Sequence, residues 1–291
     1  MTIRPDNSQT TLENEILLNR KEAIEFLEIP EKHFKNYSEF SCEIKRKKIG
    51  ARWYFNKDDL LAWKEMKDDR TVDLSLKEYE ECFEFAIKMA YSSKGSHGTG
   101  IRGARSEVQM SDDFIMGILA ELGIKKFLED KFGTEIELDR EVHPDHITPQ
   151  DFVGIHDNGV VREVNIGVAV KSSKIKSCYN VIDPLEYENP QRKSDAYIFA
   201  RVDLPSDHLF RILRSHSFFK KVKDFLDLSE GFRKIEPLEK VPVWICGFNY
   251  HGEFDKSDEI PGQKFNGWRY IKSVSGMHNS DQDWREFISR L

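Results

Sequence analysis

The sequence predicts an α/β protein in two unequal parts: a small N-terminal unit of helices with a basic hairpin, and a larger core whose central mixed β-sheet is flanked by helices. Three observations predict it. Apolar residues recur at helical spacing through most of the first 140 positions. From Gln150 the apolar period switches to alternation, with strand-like runs at 151–155, 160–170, 196–203, 241–248 and 268–274. Helical stretches lie between and after these runs, as in mixed-sheet α/β domains.

The elements follow in order. Residues 1–11 read as a disordered tail and 12–68 as a compact helical domain. Asn19 with Glu22 three residues on is a capping-box pattern, and Ala23, Phe26 and Leu27 give the helix an apolar face. Pro30 ends it and opens a second helix to about Phe40. Ile44–Ile49, Gly50 and Arg52–Phe55 read as a hairpin, after which Asn56 caps a helix carrying Leu60, Leu61 and Trp63. The polar stretch at 69–74 reads as a linker and 75–291 as the second domain. Its first helix bears Leu76, Tyr79, Phe83 and Ile87. A loop rich in Gly and Ser follows. Ser111 or Asp112 caps a helix to about Lys131, a single helix fills 207–227, and a last one buries Trp284, Phe287, Ile288 and Leu291.

Composition narrows the function. The 291 residues are 39% hydrophobic and 33% charged, enough apolar material for a core. No apolar run reaches the roughly 20 residues of a membrane helix, and the polar N-terminus lacks a signal peptide's apolar centre. The sequence therefore predicts a cytoplasmic protein with no membrane partner. Cys42, Cys82, Cys178 and Cys246 are scattered and read as reduced structural thiols rather than a disulfide or zinc framework.

The net charge is −7, yet the window Lys32–Lys57 holds eight cations (Lys32, Lys35, Lys45, Arg46, Lys47, Lys48, Arg52, Lys57) against Glu39 and Glu43, a local +6. Helix, tight turn, helix and basic hairpin outline a winged helix-turn-helix. Its second helix suits the major groove, and its hairpin suits phosphates through counterion release. The stretch resembles the excisionase/MerR-like DNA-binding family over about 50 residues: Leu18 to Ala23, Ile29-Pro30, Lys48-Ile49-Gly50, Arg52 to Phe55, and Asp58 to Trp63. The resemblance implies double-stranded DNA as partner, with Lys32, Lys35, Lys45, Arg46, Lys47, Lys48 and Arg52 on it. Glu31, Glu39 and Glu43 depart from the pattern and would repel phosphates. In the Gly-rich loop 94–105, Arg102 and Arg105 are further candidate DNA contacts. That loop lacks the Gly-Lys-Ser/Thr ending of a phosphate loop.

The expected hairpin at 151–171 brings Asp151 to the same end as Lys171, the pairing that metal-assisted phosphodiester hydrolysis uses. Four stretches in order resemble the PD-(D/E)XK nuclease family: Met116 to Leu122, with its glycine and glutamate; Pro149-Gln150-Asp151; Val168 to Lys174, ending in x-Lys; and Ser194 to Asp203. The resemblance implies a PD-(D/E)XK nuclease core behind the winged helix-turn-helix. It further implies a type II restriction-like endonuclease using Mg²⁺ held by Asp151 and Glu121, with Lys171 polarising water or phosphate and leaving a 5′-phosphate. Two active centres for two strands imply a homodimer.

One position departs. Where the family carries an acid two residues before the lysine, this chain has Ala169. Three accounts stand: a carboxylate arrives from elsewhere, with Glu121 the choice; the chain is an inactivated variant; or the domain is a natural pseudo-nuclease. Glu163 shares the strand face but lies about 26 Å away at ~3.3 Å per residue. Asp145 ranks second to Asp151, Glu107 is a reserve carboxylate, and His143 and His146 form a weak metal pair. The alternative functions are a non-catalytic DNA-binding regulator with a degenerate nuclease domain and a nuclease specific for modified DNA.

Overall fold

A computed structural model describes residues 15–91, 107–141, 150–157, 159–231 and 233–291. The tail at 1–11, the Gly-rich loop with Arg102 and Arg105, and His143, Asp145, His146 and Pro149 lie outside these residues. The chain is mixed α/β and divides into two compact units, Met1–Met66 and Lys67–Leu291.

In the first unit a short strand β1 (Leu17–Leu18) leads into α1 (Arg20–Leu27). Asn19 and Glu22 make the expected reciprocal capping box, which satisfies two otherwise orphaned N–H groups. Glu28 ends α1 in the left-handed region at φ 55°. Next comes α2 (Glu31–Lys35), which continues as a π-helical turn over Asn36–Phe40. Strands β2 (Lys47–Ile49) and β3 (Arg52–Asn56) form the hairpin. Gly50 takes the positive φ, +61°, that a two-residue hairpin turn requires. β1 pairs with β3, a strand the apolar pattern did not signal. The Asn56 side chain accepts from the Asp58 N–H at 2.8 Å and opens α3 (Lys57–Asp69), which buries Leu60 and Trp63 and leaves Leu61 exposed.

The second unit corrects several boundaries. The stretch read as a linker is strand β4 (Thr71–Ser75), paired with β11 (Lys240–Tyr250). Its alternation, with Leu74 buried and Asp73 exposed, was masked by polar neighbours. A Ser75–Glu78 capping box then opens α4 (Leu76–Ala90). α5 spans Glu107–Phe132, longer than expected from a cap at Ser111 or Asp112. β5 (Ile136–Leu138), β6 (Phe152–Asp157) and β7 (Val160–Arg162) form a small antiparallel sheet.

The long strand expected over 160–170 does not exist. β7 stops at Arg162, and β8 (Val168–Lys174) belongs to another sheet. That four-stranded sheet runs β4-β11-β10-β8, with β10 (Ala196–Val202) parallel to β8 and the other pairs antiparallel. The break has a cause. The Asn165 N–H donates to the Leu291 carbonyl at 2.8 Å, and the Gly167 N–H donates to Asp195 Oδ2 at 2.8 Å, so neither is left for a ladder.

β9 (Tyr179–Ile182), β12 (Asp255–Ile260) and β13 (Gln263–Ser273) make a third sheet of this unit. Between β9 and β10 sits a one-turn helix, α6 (Pro184–Tyr187), capped by Asp183. The helix expected at 207–227 is two: α7 (His208–Leu213) and α8 (Ser217–Leu228). α9 (Asp281–Arg290), capped by Ser280, buries Trp284 and Phe287. α4, α5 and α9 pack their apolar faces on the sheet face that carries Val168, Val170, Ile198 and Val243. Among the described residues no helix is long and apolar enough to cross a membrane.

The approach of α5 to the sheet is set at Gly123, where an added Cβ would lie 2.6 Å from Val243 Cγ1, whereas at Gly117 it would meet nothing within 4 Å. Opposite signs are therefore expected on one helix. Gly123→Val should lower stability by about 1–3 kcal/mol through overpacking. Gly117→Ala should raise it by roughly 0.5–1 kcal/mol through backbone entropy. Urea unfolding of the two variants checks this, and two shifts of the same sign would contradict it.

Candidate functional site

The site forms where β8 leaves the core. Val168 and Val170 point into the apolar cluster, so alternation sends Ala169 and Lys171 to the opposite face. β8 is an edge strand of its sheet, so its outer backbone groups need partners from outside that sheet. Asp151, just before β6, occupies that edge twice. Its N–H donates to the Val168 carbonyl at 2.9 Å, and its Oδ2 accepts from the Val170 N–H at 2.6 Å. These two contacts, rather than one continuous hairpin over 151–171, bring the carboxylate beside Lys171.

Three further side chains complete the group. Glu121 comes from α5, its side chain 17% exposed, with Arg140 Nη1 3.7 Å from its Oε2. Asp139, directly after β5, donates its N–H to the Asp151 carbonyl at 3.3 Å. Glu186 comes from α6 and meets the Lys171 ammonium at 2.6 Å. Sequence reasoning found Asp151, Glu121 and Lys171, and the structure brings these three together. It missed Glu186, Asp139 and Arg140. Glu186 sits on a single helical turn too short to show periodicity. The only local signal was the Asp183-Pro184 start, a helix-opening pair.

Ala169 is 2% exposed, in a buried cluster with Ile182, Tyr187, Tyr197, Phe254 and Tyr270. Aromatic rings fill the space a carboxylate would need, and a lone buried charge there would be costly. Glu163 follows β7 and Glu107 is the first residue of α5.

The electrostatics show how tightly these groups depend on one another. Burial, and next the charge of Asp151, push the Glu121 carboxyl up to about 8, against the pull of Arg140 and Lys171. Burial also raises the Asp151 carboxyl, opposed by Lys171 and the Val170 N–H. Burial alone would lower the Lys171 ammonium. The carboxylates of Glu186, Asp151 and Glu121 outweigh it and hold the ammonium above its ordinary value. Among the described residues the group sets four carboxylates (Glu121, Asp139, Asp151, Glu186) against two cations (Lys171, Arg140). The formal balance is −2 with every group ionised, and the oxygens are the hard donors a divalent cation takes.

A second cluster, Glu135, Glu137 and His156, holds its ligand atoms within 4.8 Å of one another on the small sheet. His156 Nε2 lies 2.6 Å from Glu137 Oε1, and that hydrogen bond lowers the Glu137 carboxyl.

In the first unit the expected cations are in place on an exposed surface. Lys32 and Lys35 are exposed on α2, and Lys45, Lys47, Lys48 and Arg52 are exposed on or beside the hairpin. Arg46 stacks over the Trp53 ring at 4.3 Å, with Lys48 5.8 Å from the same ring. Lys47 pairs with Glu15 at 2.9 Å and Lys45 with Asp59 at 3.9 Å. Such surface pairs are worth little and yield readily to a phosphate. Glu31 and Glu39, expected to repel DNA, lie 3.5 and 3.3 Å from the Arg20 guanidinium and are partly neutralised.

A scan against protein-family models, a search of curated proteins and a search of solved structures each gave no match for this chain.

The raised Glu121 carboxyl sets a stability profile. Folded chains keep this proton up to about pH 8, whereas the unfolded side chain loses it near 4.5. Between those values the folded state binds the extra proton, so stability falls as pH rises through the window. Urea unfolding at pH 5 and 8.5 should show a loss on the order of 2–4 kcal/mol in the native chain. Glu121→Gln should flatten most of it, and parallel profiles for the two proteins would contradict the assignment.

Proposed function

We propose that the chain is a metal-dependent DNA endonuclease. The first unit anchors on duplex DNA as a winged helix-turn-helix, and the second hydrolyses the phosphodiester backbone as a PD-(D/E)XK-like nuclease core. The observation that carries this reading is the meeting of Glu121, Asp151 and Lys171 at the edge of β8, with Glu186 on the lysine.

Glu121 and Asp151 would hold a Mg²⁺ ion through carboxylate oxygens. When bound, the ion supplies Lewis acidity toward a phosphoryl oxygen and lowers the pKa of the attacking water. Asp151 has one oxygen committed to the Val170 N–H, which fixes the orientation of the other. Lys171, kept charged by Glu186, holds the incoming water or the phosphate by a charge-assisted hydrogen bond. By the family resemblance, attack by water leaves a 5′-phosphate. Glu186 is a positioning residue, since it acts through Lys171.

A second reading has an observation of its own. Position 169 is an alanine buried among aromatics, which favours a non-catalytic DNA-binding regulator built on a degenerate nuclease core.

Incubation of supercoiled plasmid with the protein and Mg²⁺ separates the two. Nicking or linearisation is expected. Asp151→Asn, Glu121→Gln and Lys171→Ala should each lower the rate about 10³-fold or more, and Glu186→Gln by roughly 10- to 100-fold. Mg²⁺-independent behaviour, or cutting that survives Lys171→Ala, would overturn the enzyme reading.

DNA affinity should depend on the hairpin. Alanine at Lys45, Arg46, Lys47 and Lys48 should weaken binding and flatten the plot of log affinity against log salt by roughly 0.9 for each phosphate no longer neutralised. Fluorescence anisotropy over a salt series measures the slope, and an unchanged slope would remove the hairpin from the interface.

A further inference from the structure

We propose that the β2–β3 hairpin takes DNA at a junction between paired and unpaired strands, with Trp53 as the platform for one unstacked base. The inference rests on the DNA-binding reading of the first unit and deepens it by naming the substrate class. It does not depend on the nuclease site in the second unit. The hairpin carries more than cations. Trp53 is 43% exposed on β3, and its cross-strand partner is Lys48. Arg46 lies over the indole at 4.3 Å, with the Lys48 ammonium 5.8 Å from the same ring. Phosphate contact needs no large ring in water, because cations alone achieve it. The indole Nε1–H is a donor only, so the ring is poorly equipped to read a base edge. What it offers is a π-face, with cations beside it for the adjoining phosphate.

Duplex geometry then narrows the ligand. Inside a paired duplex each base face is covered by its stacked neighbours, and the grooves present only base edges and backbone. An aromatic platform finds a base face only where stacking is already broken, at a single-stranded arm, a gap or a frayed end. Stacking of this kind tolerates any base. The expected preference is therefore for the structure of the DNA and not for its sequence.

The tip of the hairpin is a second, independent observation. Ile49, Gly50 and Ala51 are all exposed and carry no charge. Ile49 is 46% exposed and pairs with Arg52, one rung beyond Lys48 and Trp53. A hairpin that only lay along phosphates would gain from charge at its tip. An apolar tip suits insertion beside a base step, where apolar side chains unstack the bases. From the tip inward the hairpin runs from apolar residues to the rung of Trp53 and Lys48, and then to Arg46. The platform is also anchored. Phe55 lies two residues on from Trp53 on the same face of β3. It is buried, and its ring centroid is 4.9 Å from that of Phe34. β3 pairs with β2 along its outer part and with β1 at Phe55 and Asn56, which ties the base of the hairpin to the core of the unit.

Fluorescence anisotropy of the full chain in EDTA tests this with two DNAs that share one duplex sequence. One is a fork with two unpaired arms, and the other is fully paired with G·C-clamped ends. The fork should bind about 10-fold tighter or more. Trp53→Ala, at an exposed position, should narrow the gap to about twofold, while Trp53→Tyr should keep most of it. Ile49→Ser should reduce it. 2-Aminopurine placed as the first unpaired base of an arm should be quenched on binding by the native chain and by Trp53→Tyr, and not by Trp53→Ala. Equal affinity for fork and duplex would overturn the inference. So would a Trp53→Ala chain that loses the same factor on both DNAs, since the ring would then only order Arg46 and Lys48 over phosphates. Failure to bind either DNA is a separate result, which would remove the DNA-binding reading and this inference with it.

Discussion

The edge of the second unit's main sheet is organised around one half-buried ammonium. Lys171 stands at the point where β8 passes from apolar packing to solvent, and three neighbouring segments each contribute a charge that makes its position tolerable. α5 brings Glu121, the start of β6 brings Asp151, and α6 brings Glu186. None of these groups is stable there alone. Desolvating a carboxylate or an ammonium costs several kcal/mol, and removing one partner of a buried pair leaves the other uncompensated. The edge position of β8 is part of the same solution. A free edge needs a partner for its N–H groups, and Asp151 uses one carboxylate oxygen for that purpose while facing Lys171.

The alanine at 169 follows from this arrangement. α6 is a single turn, yet consecutive residues on it do two jobs. Tyr187 enters the cluster of rings with Tyr197, Phe254 and Tyr270 over Ala169, and Glu186 reaches the lysine. Tyr187 and Tyr270 stack with centroids 3.7 Å apart. An acid at 169 would displace this packing and place a further negative charge beside Asp151 and Glu186. On the proposed reading, the role of an acid on β8 passes to the neighbouring helix α5, and the strand position it leaves becomes core. On that reading, Ala169 needs no inactivating substitution to explain it.

What the sequence made legible was local. The Asn19–Glu22 capping box, the helix after Asn56 and the fully buried strand β10 depend on residues within a few positions of one another, and their outlines matched. Boundaries failed where distant partners decided them. Val160–Val170 alternates well enough for one strand, but Asn165 and Gly167 give their N–H groups to Leu291 and Asp195, far along the chain. Residues 69–74 looked like a linker because Asp69, Arg70, Thr71 and Asp73 are polar, and Thr71–Ser75 became a strand because β11 offered an edge. The site divides in the same way. Asp151, Glu121 and Lys171 sat in patterned segments where motif and periodicity agreed, whereas Glu186 and Arg140 owe their place to tertiary geometry alone.

The charge distribution completes the argument for a two-unit division of labour. A chain of net −7 that engages a polyanion cannot rely on its overall field. The proposed catalytic group makes this worse, since its described carboxylates outnumber its cations and would repel a phosphate until a divalent ion joined them. On the proposed reading, attraction and chemistry sit on different parts of the chain. The hairpin would supply attraction: its lysines are exposed or weakly paired, and Arg20 pairs with Glu31 and Glu39. The β8 edge supplies the opposite environment, in which ammonium and carboxylates are fixed by burial and by one another. On this reading, salt should act chiefly on capture by the first unit, while pH and divalent ion act chiefly on the step in the second. The two dependences separate because the charges behind them differ so much in exposure.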